Sequence, residues 1–158
     1  MLAACTGRES DDEAQPLLLN ATVVFPPHDT VRFALPARMH RCTEPRTLII
    51  EAIGPEGSGV LVRLHYADSL VSRSYRVVPP GDTSAPGAVV AVRYLLREAA
   101  HGFAFDSGTV QVRRRGDKIG GHIQGSGIEN AIRTPTRIDY HDVALPEASD
   151  TISCAYQP

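Results

Sequence analysis

The chain has 158 residues, a mass of 17.0 kDa and a formal net charge of -2. This length suits one ordinary domain, and a hydrophobic share of 42% with a charged share of 22% is typical of a chain that folds around a core. The slightly acidic balance excludes a strongly basic nucleic-acid-binding surface, and no apolar run reaches the roughly 18 residues of a membrane-spanning helix.

The first residues carry a recognisable processing pattern. Leu2-Ala3-Ala4-Cys5 resembles the lipobox of bacterial lipoproteins, which consists of Leu, a small residue, Ala or Gly, and then Cys. The resemblance covers these four residues and implies that a signal peptidase cuts before Cys5 and that its sulfur carries a diacylglycerol. In that family a basic segment and an apolar segment precede the lipobox. Only Met1 precedes Leu2 here, so this interpretation expects both segments upstream of Met1.

The residues after Cys5 are polar and acidic and have no periodicity, which predicts a flexible tether over residues 6–20. The chain is thus divided into residues 1–5, the remnant of a signal peptide with its lipobox, then the tether, and residues 21–158, a single β-sandwich domain. In such lipoproteins an Asp directly after the lipid-bearing Cys signals retention at the inner membrane. Thr6 occupies that position here. The resemblance therefore implies the outer membrane or the outer cell surface.

From Thr30 onward, short runs rich in Val, Ile, Leu and Tyr alternate with Gly, Pro, Asp or Ser, as in strands joined by turns. The pattern predicts an all-β fold, an antiparallel β-sandwich or small barrel of about eight to nine strands. Only Tyr94–His101 has good helix propensity, and Gly102 would end it, so we expect at most one short helix. The predicted strands are Thr30–Leu35, Arg46–Ile53, Gly59–Tyr66, Ser72–Val78, Gly87–Leu95, Gly102–Phe105, Thr109–Arg113, Lys118–Ile128 and Thr136–Leu145.

Alternation within these runs indicates which side chains face the core. Val60 and Val62 share a face in a run of period two. In the last long run the apolar positions change parity between Tyr140 and Val143, which predicts a bulge near His141.

Two further local patterns bear on the surface. Glycines within Lys118–Ile128 fall on the apolar face, which indicates that another sheet, a ring or a ligand approaches the backbone closely there. The basic run Arg113–Lys118, which contains Gly116-Asp117, predicts a charged hairpin turn in solvent.

The chain has three cysteines. With Cys5 assigned to the lipid, Cys42 and Cys154 are the natural pair for a disulfide in an exported protein. Such a bridge would pin the C-terminus. The alternative is two reduced thiols, because sequence alone does not bring the two residues within bridging distance.

The six histidines are scattered singly, and no pair has metal-ligand spacing on one strand or helix. Asp139 and His141 alternate onto one face of a strand, and His65 or His122 from neighbouring strands could join them. These four are weak metal candidates. No nucleophile elbow or nucleotide loop is present, so the sequence indicates no catalytic residue and no cofactor.

These patterns together predict a membrane-anchored exported lipoprotein domain in the bacterial cell envelope. We expect a non-catalytic binding or interaction module with a lipid anchor at Cys5, whose partner is a protein, polymer or small ligand. Nucleic acid and a transmembrane helix are not expected. Two alternatives stay open. One is a small β-barrel hydrolase or metal-dependent enzyme that uses the strand histidines, and the other is a cytosolic interaction domain that starts at Met1.

Overall fold

The computed structural model describes residues 15–154, and every regular element in that range is a β-strand, which confirms the all-β prediction. Cys5 and residues 6–14 of the predicted tether lie outside the described residues. The strands are β1 (Leu19–Phe25), β2 (Asp29–Leu35), β3 (Arg38–Cys42), β4 (Thr47–Ile53), β5 (Gly59–His65), β6 (Arg73–Arg76), β7 (Gly87–Leu96), β8 (Ala99–Arg115), β9 (Lys118–Glu129), β10 (Ile132–Ala144) and β11 (Thr151–Ile152).

The strands form one curled sheet that makes a half-barrel. Their order is β11-β3-β4-β5-β7-β8-β9-β10-β1-β2, and β6 pairs with β8 beside this path. The long strand β8 joins the two halves, because Ala99–Ala104 pair with β7 while the residues from Phe105 onward pair with β9. A register shift between Phe105 and Ser107 marks the change of partner, and a bulge there bends the strand.

The core lies inside the curl, where alternate side chains of both halves meet. Val60 and Val62 are buried there, as the alternation predicts. Fully burying one such aliphatic side chain contributes about 1.5–3 kcal/mol. The largest fully buried side chains include Tyr75, Tyr94, Phe105, Ile119, Ile123 and Ile138.

Three strands of the described range were not among the predicted ones, namely β1, β3 and β11. The predicted tether boundary also changes, because β1 begins at Leu19 rather than after residue 20. Two predicted strands, Gly102–Phe105 and Thr109–Arg113, are parts of the single strand β8. The bulge in β8 explains the apparent gap, since it interrupts the apolar alternation without ending the strand.

The segment with the best helix propensity forms a hairpin instead. β7 continues to Leu96, and β8 begins at Ala99. The two residues between them, Arg97 and Glu98, both have positive φ angles, of 51° and 65°. This is the geometry of a tight hairpin turn, and pairing of the flanking strands overrides the local helix preference.

The predicted bulge in β10 is confirmed. The register with β9 shifts between Tyr140 and Val143, and Asp142 has a φ of 52°. The extra residue restores the inward direction of Val143, which is fully buried.

The glycines of β9 allow the close approach that the sequence pattern predicts. A Cβ at Gly125 would lie 2.6 Å from the ring of Phe105, and one at Gly127 would lie 2.5 Å from the ring of Phe103. The two phenylalanine rings stack on each other with centroids 5.9 Å apart. The carbonyl oxygens of Ser107 and Ala104 would lie closer still, so the approaching groups are the backbone and the phenylalanine rings of the neighbouring strand β8.

The last described residues cross the outer surface of the sheet, and we call residues 150–154 the C-terminal strap. Its strand β11 runs parallel to β3, and the structure joins Cys42 to Cys154 in a disulfide with Cα atoms 5.3 Å apart. The strap covers Ile49, which is only 4% exposed although it points away from the main core. Arg63 Nη2 also donates a hydrogen bond to the carbonyl oxygen of Cys154. The disulfide thus fixes the end of the domain to its sheet.

Candidate functional site

Three of the four metal candidates lie together on the outer surface of β9 and β10. His122 and Asp139 are directly opposite each other in the sheet, and His141 follows on the same strand as Asp139. All three line a cavity of about 320 Å³ beside the β8–β9 turn, and we call this cavity the hairpin groove. Its polar lining also includes Arg113, Arg115, Lys118 and Asp142.

The fourth candidate, His65, is elsewhere. It is buried in β5, where its Nδ1 atom lies 3.2 Å from the hydroxyl of Thr47. Burial, followed by the nearby Arg63 charge, lowers the pKa of His65 from its ordinary value. Its Nε2 atom is buried without a hydrogen-bond partner among the described residues. We therefore treat His65 as a neutral side chain of the fold.

The four candidates do not form one set of metal ligands. Across residues 15–154, the one group of three or more ligating side chains with ligand atoms within 4.8 Å of one another is Cys42, Glu44 and Cys154. Both sulfurs of that group are joined in the disulfide, so neither is a thiolate.

Glycines of β9 shape the floor of the hairpin groove. A Cβ at Gly120 would lie 3.0 Å from the carbonyl oxygen of Tyr140 and 3.1 Å from the Cα atom of His141. Gly121 has a φ of 153°, and a Cβ there would meet the carbonyl oxygen of Gln111 at 1.9 Å. Tyr140 donates a hydrogen bond of 2.7 Å to that same carbonyl oxygen. The two glycines therefore let the backbones of β8 and β10 lie close to β9 at the floor of the hairpin groove.

The acidic side chains of the groove each have a basic neighbour on β10. Asp139 lies 3.2 Å from Arg137, and Asp142 lies 3.4 Å from His141. The Asp139 pair is an exposed ion pair, and ion pairs of this kind contribute little to stability. The guanidinium of Arg137 offsets the charge of Asp139 at the edge of the groove.

The three basic side chains of the hairpin, by contrast, have no ion-pair partner among the described residues. Arg113, Arg115 and Lys118 form no ion pair with any residue in the described part of the chain. Arg114, between them in sequence, instead donates hydrogen bonds to the carbonyl oxygens of Leu70 and Gly116. The predicted charged turn is thus present, and three of its cations line the groove without an ion pair to any residue of the range 15–154.

The first strand begins beside this groove. The backbone N–H of His141 donates a hydrogen bond of 3.0 Å to the carbonyl oxygen of Leu18, and Leu19 pairs with Tyr140. The described residues before Leu18 lead away from the groove, because Gln15 lines a separate cavity with Pro36, Arg38, Glu51 and Ile53.

A second polar cluster lies at the other end of β8. Glu129 accepts hydrogen bonds of 2.8 Å from the hydroxyl of Tyr94 and 3.2 Å from the N–H of Gly102, and its other contact is His101 Nδ1 at 2.8 Å. The imidazole of His101 stacks on Tyr94 and is also tilted against Phe25. Burial and the Glu129 contact raise the pKa of Tyr94 above its ordinary value. These contacts tie three strands together around one carboxylate.

The cluster around Glu129 has no local sequence pattern, because His101 and Glu129 are 28 positions apart on different strands. The usable signal was the β8–β9 turn, which sets the register of the two strands. The bulge in β8 then moves that register by one residue, so turn chemistry alone predicts the wrong partner for Glu129.

A larger and mainly apolar cavity, of about 420 Å³, lies on the outer side of β4, β5 and β7. Ile53, which is 66% exposed, forms part of its lining together with Leu61 and Ala91. Exposed apolar surface of this kind is common in binding proteins, but nothing in the described chain covers it.

No protein-family model, curated protein or solved structure matches the chain. In the part of the chain that the structure describes, we find no helix of the length and apolarity needed to cross a membrane.

Proposed function

We propose that this protein is an exported domain, lipid-anchored through Cys5 in the bacterial cell envelope, that acts as a binding module. The observation that carries the proposal is the disulfide between Cys42 and Cys154. Disulfides persist in oxidising compartments and are rare in the cytosol. The bridge therefore favours an exported protein over the cytosolic alternative.

The same bridge accounts for two of the three cysteines in the sequence. The third is Cys5, and it stands in the lipobox-like Leu2-Ala3-Ala4-Cys5. An odd cysteine in an exported protein calls for an explanation, and lipid attachment supplies one. Residues 6–18 would then separate the lipid from the first strand.

The hairpin groove is the surface that supports a binding role best. It combines a cavity of about 320 Å³ with three cations that form no ion pair with the described residues. Binding sites in small domains are concave and carry a few polar groups that orient the ligand.

Acylation tests the anchor directly. The gene is expressed in a bacterial host from its complete reading frame, with whatever precedes Met1, and the intact mass of the membrane fraction is measured. We expect the wild type to carry acyl chains on Cys5, and Cys5→Ala to lose both the acyl mass and membrane association.

Thr6→Ala is the matched control, since it changes the neighbouring residue and leaves the lipobox-like residues intact. It should remain acylated. The same non-reducing spectrum should show the mass loss of two hydrogens that the Cys42–Cys154 bridge requires. An unacylated wild type in the soluble fraction would refute the proposal.

A further inference from the structure

Two exposed apolar side chains lie close to the point where the described chain begins. Gln15 is the first described residue, and it lines a cavity of about 210 Å³ together with Pro36 and Ile53. Ile53 is 66% exposed, and Leu17, two residues after Gln15, is 55% exposed. The segment that leads back to Cys5 therefore starts beside exposed apolar surface.

Ile53 also borders the mainly apolar cavity of about 420 Å³ on the outer side of β4, β5 and β7. Leu61 and Ala91 lie opposite each other in the sheet and line this cavity. Ile53 pairs with Gly59, which has no side chain that could cover it. We call the cavity together with Leu17 the Ile53 face. Uncovered apolar surface of this kind marks a contact with a membrane or with another protein.

The charged side chains at the edge of the Ile53 face suit a lipid surface. Arg93 lines the apolar cavity and Arg38 lines the smaller one, and neither forms an ion pair with a residue of the range 15–154. Glu51 lies opposite Arg38 in the sheet and has His40 Nε2 at 3.6 Å. No acid lines the cavity beside Arg93. An arginine in this position can lay its aliphatic stem along apolar surface while its guanidinium reaches a lipid phosphate.

The proposed anchor favours a membrane over another protein as the occupant. Residues 6–14 separate Cys5 from Gln15. Ten residues of fully extended chain span at most about 35 Å, so a lipid on Cys5 keeps Gln15 within that distance of the bilayer. Such a tether gives the surface beside Gln15 a high effective concentration of lipid, which a separate protein partner lacks.

We propose that the Ile53 face docks on the bilayer that carries the anchor. Ile53 and Leu17 enter the boundary between headgroups and acyl chains, about 5–10 Å deep, and Arg93 faces the lipid phosphates. This inference rests on the proposed function, which supplies the anchor. Docking of this face fixes the orientation of the domain on the membrane, which a single flexible attachment point does not.

The test places a fluorescent reporter in the proposed contact. The chain has no tryptophan, so Ile53→Trp introduces a single one at an exposed apolar position. The full chain is coupled through Cys5, its one cysteine outside the bridge, to a maleimide-bearing phospholipid in vesicles of phosphatidylcholine and phosphatidylglycerol. We expect lipids with brominated acyl chains to quench this tryptophan, and its emission to shift to shorter wavelength, because both changes report contact with the acyl region.

Val71→Trp is the matched control. Val71 is also an exposed aliphatic residue, and its neighbour Leu70 lines a cavity with Leu48 near the start of β4, whereas Ile53 ends that strand. Its emission should be the same before and after coupling, with no quenching by the brominated lipids.

A second substitution tests the face without the reporter position. Leu17→Asp in the Ile53→Trp chain should lower the ratio of docked to undocked protein roughly fivefold, since about half the burial of a leucine is lost. Val71→Asp in the same chain should leave that ratio within about twofold of the parent. Urea unfolding of each variant shows that it is folded.

Equal quenching of the two reporters, or no quenching of the Ile53→Trp chain after complete coupling, would overturn the proposal. A shift of its emission in the uncoupled protein without vesicles, with a doubled mass in sedimentation, would assign the face to a second copy and overturn the bilayer as its occupant. Chemical coupling also separates this proposal from the anchor. A wild type that is not acylated in the bacterial host, but docks once coupled, would refute the anchor and support the lipid contact. An acylated wild type whose reporter stays unquenched would overturn this inference alone.

Discussion

Removing the Cys42–Cys154 disulfide is the perturbation whose effect on stability follows most directly from the structure. The bond closes a loop with a sequence separation of 112 residues. In the chain-entropy treatment, opening a loop of this length stabilises the unfolded chain by about 5 kcal/mol. Detachment of the C-terminal strap would also uncover Ile49, which is 4% exposed, and would cost up to about 2 kcal/mol more. We therefore expect Cys42→Ser/Cys154→Ser to lower the free energy of unfolding by about 5 kcal/mol or slightly more.

Urea unfolding followed by far-UV circular dichroism measures this difference, since the chain has no tryptophan to report by fluorescence. Cys5→Ser is the matched control, because it removes the one cysteine outside the bridge. Its unfolding should coincide with that of the unacylated wild type.

A loss below about 2 kcal/mol in the double variant, with an unchanged m-value, would refute the loop-closure argument. It would mean that the unfolded chain gains little freedom when the bridge opens. A comparable loss in Cys5→Ser would refute the assignment of the bridge to Cys42 and Cys154.

Three other predictions concern the core, the far cluster and pH. Gly125→Ala should lose more than about 2 kcal/mol of stability through overpacking, because its Cβ would lie 2.3 Å from the Ser107 carbonyl oxygen. Gly102→Ala is the control, since its nearest contact would be 3.4 Å away, and it should change stability by less than about 1 kcal/mol. Equal effects of the two variants in thermal unfolding would contradict the overpacking explanation. Glu129→Ala should cost about 2–3 kcal/mol, because it removes the acceptor of the buried Tyr94 hydroxyl. The cost should be at least about 1 kcal/mol smaller in a Tyr94→Phe background, and strictly additive losses in the double-mutant cycle would refute the coupling. Burial raises the pKa of Tyr75, Tyr94 and Tyr140 above the ordinary value of 10.0. The unfolded chain therefore releases these protons first as the pH rises, so their contribution to stability is complete below about pH 10 and is lost above it. Phenolate absorbance of these residues should appear together with loss of the β-sheet dichroism, and a fully ionised native protein would contradict the prediction.

Much of the fold follows from local patterns. Alternation gave the buried face of β5 through Val60 and Val62, and the change of parity gave the bulge before Val143. β1 had a usable signal as well, since Leu19 and Ala21 are buried at alternate positions. β3 had none, because its sequence is mostly polar and it is a strand through pairing with β4.

The candidate site was only partly predictable. Alternation along the strand placed Asp139 and His141 on one face from sequence alone, and the basic run Arg113–Lys118 was correctly predicted as a hairpin turn. Their meeting in one groove depends on the pairing of β9 with both β8 and β10. No local sequence pattern predicts which distant segments become neighbouring strands.

The sequence by itself determined the all-β class, the charged turn at Gly116 and the inward faces of β5 and β10, because turn chemistry and a period of two are properties of neighbouring residues. Only the tertiary structure decided that β8 serves both halves of the curl, that a hairpin replaces the helix-prone segment at Arg97, and that Glu129 gathers Tyr94 and His101. These features depend on which strands become neighbours. That choice is made by packing and pairing between residues far apart in the chain, and it also brings the cations of the β8–β9 hairpin into one groove with His122 and Asp139.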